Sequence, residues 1–252
     1  MNARLRNQWA QGRSSYNFFL TIPNAWTAEL MARTGFDAIT LDMQHGLIDF
    51  SIALQQLQAI STTKAVPFVR LQWNEPSIIM KMLDAGAAGL ICPMIETADD
   101  AAAFVRACLY PPAGNRSYGP VRAGRLAESD YFKTANQQVL TFAMIETASA
   151  AENLESIAAV PGLSGLFVGP YDLSVSMGIE QVADIHGPTL RAVLERVLAA
   201  CEKHGLVPGI YSGNTEHLRE LSEMGFRLIS TGDDSKLLEQ AARVLLGEMR
   251  GE

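Results

Sequence analysis

The chain has 252 residues, 48% of them hydrophobic, and a formal net charge of −7 at pH 7. That length suits a single α/β barrel with a sizeable core. The acidic balance excludes the basic patch of a nucleic-acid binder and the polybasic stretch of a membrane-surface protein, and no apolar run reaches the ~18–20 residues of a membrane span.

Cys92, Cys108 and Cys201 are odd in number and form no CxxC pair. Neither a disulfide framework nor a structural zinc site is expected of them, only buried thiols in a reducing cytoplasm. The opening MNARLRNQWAQGR lacks the apolar core of a secretory signal, which also points to a cytoplasmic protein.

From there the chain alternates. Short apolar, β-branched or aromatic runs precede segments of helical period, the pattern of repeated βα units around a parallel sheet. Residues 16–22 lead to a helix from Ala25, 36–43 to a helix over 50–60, and 66–71 to a helix opened by Pro76. Residues 88–95 lead to a helix over 99–109, and 139–145 to one over 148–159. Residues 163–169 lead through a loop to a helix over 190–204, 206–211 to one over 216–224, and 226–231 to one over 236–249. About eight units make a closed (β/α)8 barrel in one domain, residues 1–252. Gly35, Gly86, Gly162, Gly205 and Gly225 stand before strands, where helices end.

One stretch, residues 111–133, reads as a long irregular loop. It carries Arg116, Arg122 and Arg125, which suit either an anionic substrate or a solvated surface. The apolar C-terminal helix suits either a subunit interface or a coat for the barrel.

Active sites of such barrels form at the C-terminal ends of the strands. Strand two ends in Asp42-Met43-Gln44-His45-Gly46, strand three carries Arg70, strand five runs into Glu146, and strand six into Gly169-Pro170-Tyr171-Asp172. Two acids on neighbouring strand ends suit Mg2+ or Mn2+, hard cations that take one or two carboxylates plus waters and substrate oxygens. Each acid alone also suits a helix start. His45 suits a general base, the task to which an imidazole lends itself, or a histidine satisfied by loop carbonyls. Arg70 on a strand wants a bidentate anion, a substrate carboxylate in preference to Asp42 or another acid. None of the five lysines falls within a strand, which disfavours a Schiff-base mechanism. SGN at 212–214 and TGDD at 231–234 follow strands seven and eight, where barrels often bind phosphate.

With LDMQHG, FVRLQWNEP, MLDAGAAGLICPMIET, YPPAGNRSYG, AMIET and GLFVGPYDLSVSMG in this order, the chain resembles the HpcH/HpaI aldolase/citrate lyase family over nearly its whole length. The resemblance implies a barrel of the phosphoenolpyruvate/pyruvate-binding type. It also implies a class II lyase that reversibly cleaves 4-hydroxy-2-oxo acids to pyruvate and an aldehyde. Such an enzyme uses a divalent metal, Mg2+, Mn2+ or Co2+, and no organic cofactor. Carried onto this chain, Glu146 and Asp172 hold the metal, His45 is the base, and Arg70 steadies the enolate oxygen. Asp84 supports the histidine from a neighbouring subunit. Met144, Gly169, Pro170, Tyr171, Asp172 and Arg70 contact the substrate, and Asp42 backs them. The resemblance further implies a homohexamer, a trimer of dimers.

The chain departs from many members in having Gln44 where glutamate is usual, Met144 where glutamine is usual, and Tyr171 where alanine is usual. These changes bear on acceptor specificity. Two other readings are a lyase acting on a CoA thioester, as citrate lyase β-subunits do, and a barrel that binds a keto acid without catalysis.

Overall fold

The computed structural model describes residues 2–127 and 130–251. Eight strands close a parallel barrel in sequence order: β1 (Ser15–Leu20), β2 (Ala38–Asp42), β3 (Val66–Arg70), β4 (Gly89–Cys92), β5 (Leu140–Ile145), β6 (Gly165–Val168), β7 (Val207–Ser212) and β8 (Leu228–Asp233). Every predicted strand is present, most of them trimmed at one end or both. The crossovers are α2 (Ala25–Arg33), α3 (Phe50–Ile60), α4 (Pro76–Ala85), α5 (Ala98–Cys108), α8 and α9 (Ala148–Glu152, Leu154–Ala158), α11 (Pro188–His204), α12 (Leu218–Met224) and α13 (Asp234–Arg250). The helix expected over 148–159 is two short helices. Asn153 ends one, starts the next, and donates its side-chain amide to Glu96 O at 2.9 Å. That bond gives the break a tertiary partner which no local pattern encodes.

The barrel interior is filled by large rings beside glycines. Phe68 pairs in register with Gly89, Phe142 with Gly165 and Phe167 with Gly209. A Cβ built on these glycines would lie 2.2, 2.3 and 2.7 Å from the neighbouring ring. The glycines are therefore the space the rings occupy, a large–small alternation suited to a barrel core.

Four helices lie outside the expected pattern. α1 (Ala3–Ala10), in the segment read only as a polar start, closes the N-terminal end of the barrel. Its Leu5 is fully buried, and Trp9 Nε1 donates to Ser15 Oγ at 2.9 Å and Arg227 O at 3.0 Å. α6 (Ala123–Leu126) and α7 (Tyr131–Gln138) occupy part of the stretch expected to be irregular. α10 (Pro170–Ser176) replaces the start of the loop expected after strand six.

The arginines of the 111–133 stretch correct the anionic-substrate reading. Arg116 is buried, pairs with Asp84 at 2.7 Å, and stacks on Tyr110 with 4.5 Å from Cζ to the ring centroid. Arg122 donates to Ala85 O at 2.7 Å and Ser61 Oγ at 2.8 Å, satisfying helix C-terminal ends. Both hold the loop to the barrel wall, and Arg125 lies exposed.

α13 carries Leu237, Leu238, Val244, Leu245, Leu246 and Met249, all exposed in the single chain, and only its first residue, Asp234, is buried. Cys92, Cys108 and Cys201 are free and buried. Among the described residues no helix is long and apolar enough to cross a membrane.

Candidate active site

At the C-terminal mouth of the barrel lies a cavity of about 230 Å3 lined by Asp42, His45, Arg70, Met144 and the Gly169–Asp172 segment. Those residues come from four separate stretches of sequence, and parallel closure brings their strand ends to one rim.

Asp42 organises one side. Its carboxylate, 3% exposed, accepts from Arg70 Nε at 2.9 Å and from Arg70 Nη2, a bidentate pair. The two residues are register partners on β2 and β3, so adjacent strands deliver the charges face to face. The bidentate partner of Arg70 in this structure is therefore Asp42, not the expected substrate carboxylate. Arg70 Nη1 makes no hydrogen bond among the described residues, and the guanidinium lies 5.1 Å from the centre of the Phe19 ring. Asp42 Oδ1 also accepts from the backbone N–H of Gln44 at 3.1 Å and His45 at 3.2 Å. This turn continues into Gly46, where a Cβ would stand 2.3 Å from Asp42 O. The glycine lets the loop fold back and present His45 at the rim. The imidazole is exposed and makes no hydrogen bond among the described residues, so loop carbonyls do not satisfy it.

Glu146 lies on the opposite side, 1% exposed, just past β5. Its Oε1 accepts from Met94 N at 2.7 Å, and Met94 holds a left-handed φ of 54° to make that bond. Such a conformation is unusual for a methionine and occurs where surrounding structure imposes it. Burial pushes the Glu146 carboxyl above its ordinary value; the Met94 amide opposes the rise, nearby Asp172 adds to it, and Arg70 opposes it. Glu146 forms no salt bridge among the described residues. Its Oε2 lies beneath Gly169, where a Cβ would come within 3.0 Å of it and 2.6 Å of Met144 Cε. Asp172 is exposed in the first turn of α10. Two carboxylates thus share one rim without a neutralising side chain, a donor set that fits a hard divalent cation completed by substrate and water oxygens. Among the described residues no cluster of three or more metal-ligating side chains forms, so the fit rests on two acids.

The structure also brings in residues to which the sequence gave no place in this site. Phe19, Tyr211, Asp233 and Lys236 complete the wall. Lys236 follows β8 in the first turn of α13, and its Nζ lies 3.3 Å from Asp233 Oδ2. Its pKa is raised, chiefly by Tyr211 and then by Asp233. The ammonium is stabilised, the reverse of what a Schiff-base lysine needs. The TGDD turn is no phosphate cradle either. Asp233 caps α13 at Lys236 N (2.9 Å), and Asp234 accepts from Thr21 N at 2.7 Å. In the SGN turn Gly213 lies against the Tyr171 hydroxyl.

Asp84 is not in this cavity. It ends α4, paired with Arg116, its side chain one-quarter exposed. Of the other histidines, His204 contacts Glu155 at 2.8 Å, and His186 and His217 meet edge to face at 5.4 Å.

A (β/α)8 barrel whose histidine, guanidinium and carboxylates converge at the strand C-termini is built as an enzyme. The HpcH/HpaI aldolase/citrate lyase family profile matches residues 15–241, and the chain belongs to that family. It is 36% identical to a hydroxypyruvate/pyruvate aldolase of Rhizorhabdus wittichii, covering 98% of both chains. It is 37% identical to a 4-hydroxy-2-oxo-heptane-1,7-dioate aldolase of Escherichia coli, over 93% of this chain and 90% of that one. A crystal structure of a family member from Burkholderia cenocepacia superposes with a TM-score of 0.91 at 36% identity, covering 99% of this chain and all of that one. The chain is accordingly an aldolase-type lyase.

Proposed function

We propose that the chain reversibly cleaves 4-hydroxy-2-oxo acids to pyruvate and an aldehyde. The observation that carries this reading is one cavity holding an unpaired histidine, an arginine fixed by Asp42 and the Asp172 carboxylate, with the buried Glu146 carboxylate directly beneath its Gly169 wall. Glu146 and Asp172 hold a divalent cation, of which Mg2+, Mn2+ and Co2+ are candidates. When bound it supplies Lewis acidity toward the ketone and carboxylate of the substrate.

The protein's own groups do the rest. The N–H groups of Tyr171 and Asp172, in the first turn of α10, have no partner among the described residues and receive the substrate carboxylate; Gly169 N is already bonded to Ile145 O at 3.1 Å. His45 takes the proton of the C4 hydroxyl. The C3–C4 bond breaks, the aldehyde leaves, and its bonding electron pair becomes the enolate of pyruvate. Arg70 donates its free Nη1 to the enolate oxygen, where negative charge grows as the bond opens. His45 then returns the proton to C3, giving pyruvate. Asp42 positions both His45 and Arg70. Met144 forms the apolar floor.

The partner is a second copy of the chain. Asp84, outside its own cavity, serves the histidine of a neighbouring subunit, and the uncovered apolar residues of α13 contribute to the contacts of a hexamer built as a trimer of dimers.

Pyruvate release from a panel of 4-hydroxy-2-oxo acids, coupled to lactate dehydrogenase, tests the reading. Activity lost in EDTA, restored by Mg2+, Mn2+ or Co2+, and absent in Glu146→Ala and His45→Ala is the expected result. Activity that persists in EDTA and is trapped by borohydride overturns it.

A further inference from the structure

The cavity at the barrel mouth has one wall that the cleavage above leaves unused, formed by Phe19, Thr21, Tyr211, Asp233 and Lys236 on or just past β1, β7 and β8. Most polar groups of that wall are engaged within the chain. Thr21 Oγ1 donates to Asp234 Oδ1 at 2.8 Å. Asp233 accepts from Lys236 N at 2.9 Å and faces Lys236 Nζ at 3.3 Å. On the adjoining side the Tyr171 hydroxyl lies against Gly213. The Tyr211 hydroxyl differs from all of these. It makes no hydrogen bond among the described residues, and it is not sealed in the core.

The ring that carries it is fixed by packing. Tyr211 meets Phe19 edge to face with ring centroids 5.6 Å apart, meets Tyr171 at 6.1 Å, and packs on the inner cluster that includes Met144 and Phe167. Phe19 in turn lies beside the Arg70 guanidinium, 5.1 Å from its ring centre. The hydroxyl is therefore held at a set place relative to Arg70 with its hydrogen-bonding capacity unspent, whereas a half-buried tyrosine O–H ordinarily has a partner.

The charges around the phenol place it in the same cavity. Burial is the main influence and pushes its pKa up; Lys236 lowers it, Asp233 and Tyr171 raise it, and Arg70 lowers it. All four of those neighbours line the cavity. The net rise keeps the proton on the oxygen at neutral pH, so the group is a donor and not a base.

We propose that Tyr211 is a further catalytic residue, whose hydroxyl donates a hydrogen bond to the C4 oxygen of the substrate, the oxygen that becomes the aldehyde carbonyl. The assignment rests on the aldolase reading above and deepens it. There the pyruvate half is held by the metal, the first turn of α10 and Arg70, while the C4 oxygen meets only the base. As His45 removes the hydroxyl proton, negative charge gathers on that oxygen until the C3–C4 bond opens. A neutral donor already fixed in the wall stabilises that charge without reorganising. Tyr211 keeps its own proton throughout; the one proton that moves goes from the C4 hydroxyl to His45 and on to C3. The Lys236 ammonium beside the phenol strengthens it as a donor.

The test uses the metal-loaded enzyme and two readouts. Exchange of the pyruvate methyl protons in D2O, followed by NMR without any aldehyde, reports enolisation, in which no C4 oxygen takes part. Cleavage of 4-hydroxy-2-oxobutanoate reports the carbon–carbon step with a substrate whose only polar tail atom is that oxygen. Tyr211→Phe keeps the ring and its packing. It is expected to lower kcat for cleavage about 10–100-fold with little change in KM, and to leave the exchange rate within about twofold of wild type. Lys236→Met is expected to lower kcat for cleavage roughly threefold, the scale of one mostly exposed charge, again with exchange retained. Cleavage unchanged in Tyr211→Phe, or cleavage and exchange reduced equally, overturns the role of the hydroxyl and leaves the aldolase reading standing. Absence of both exchange and cleavage in wild type overturns both.

Discussion

Replacing Asp42 by alanine tests how the site is held. The carboxylate is 3% exposed and the guanidinium it binds 13% exposed. Removing one member of such a pair leaves a nearly buried charge uncompensated, which costs about 3–5 kcal/mol when burial is complete. The partial exposure of Arg70 and its contact with Phe19 place this case near 3 kcal/mol. At ~2–4 °C per kcal/mol for a chain of this size, the melting temperature falls by roughly 6–12 °C. Activity falls further than stability, because the same carboxylate fixes the backbone of His45. Thermal melts and kcat/KM on Asp42→Ala, Arg70→Leu and Asp42→Leu/Arg70→Leu form a cycle. The double variant recovers much of the stability, since an apolar pair of similar volume replaces the ions, but none of the activity. A shift under about 2 °C in Asp42→Ala with unchanged kcat/KM refutes the role of the pair.

Gly169→Ala places a methyl 2.6 Å from Met144 Cε and 3.0 Å from Glu146 Oε2. The methionine tip gives way, but the carboxylate is displaced. Affinity for Mn2+, measured by calorimetry, is expected to fall about 10–100-fold with a stability loss of about 1–3 kcal/mol; unchanged affinity contradicts the placement of Glu146. Glu146→Gln tests the buried carboxyl in metal-free protein. Its folded-state pKa lies above the unfolded value, so its contribution to stability is present below the unfolded value and lost as pH rises through the folded one. In EDTA the glutamine variant melts higher than wild type at neutral pH, and the gap closes toward acid; melts that differ equally at every pH oppose this.

The alternation of apolar runs with helical segments determined the barrel, because each βα unit is encoded by contiguous residues and eight of them have one closed solution. The same local logic placed His45, Arg70, Glu146 and Asp172 at strand ends, and the cavity draws on three of them directly with Glu146 beneath Gly169. What tertiary structure alone decided are choices among partners distant in sequence. Arg70 took Asp42 because β2 and β3 align them. Arg116 took Asp84 and became part of the wall, although an exposed loop arginine and a buried one look alike in sequence. Lys236 and Tyr211 reached the mouth only because β8 closes against β1 and returns the chain to its start. α1 became a plug because the open floor of a closed barrel offers an apolar seat for Leu5, a seat that exists only after all eight strands have met.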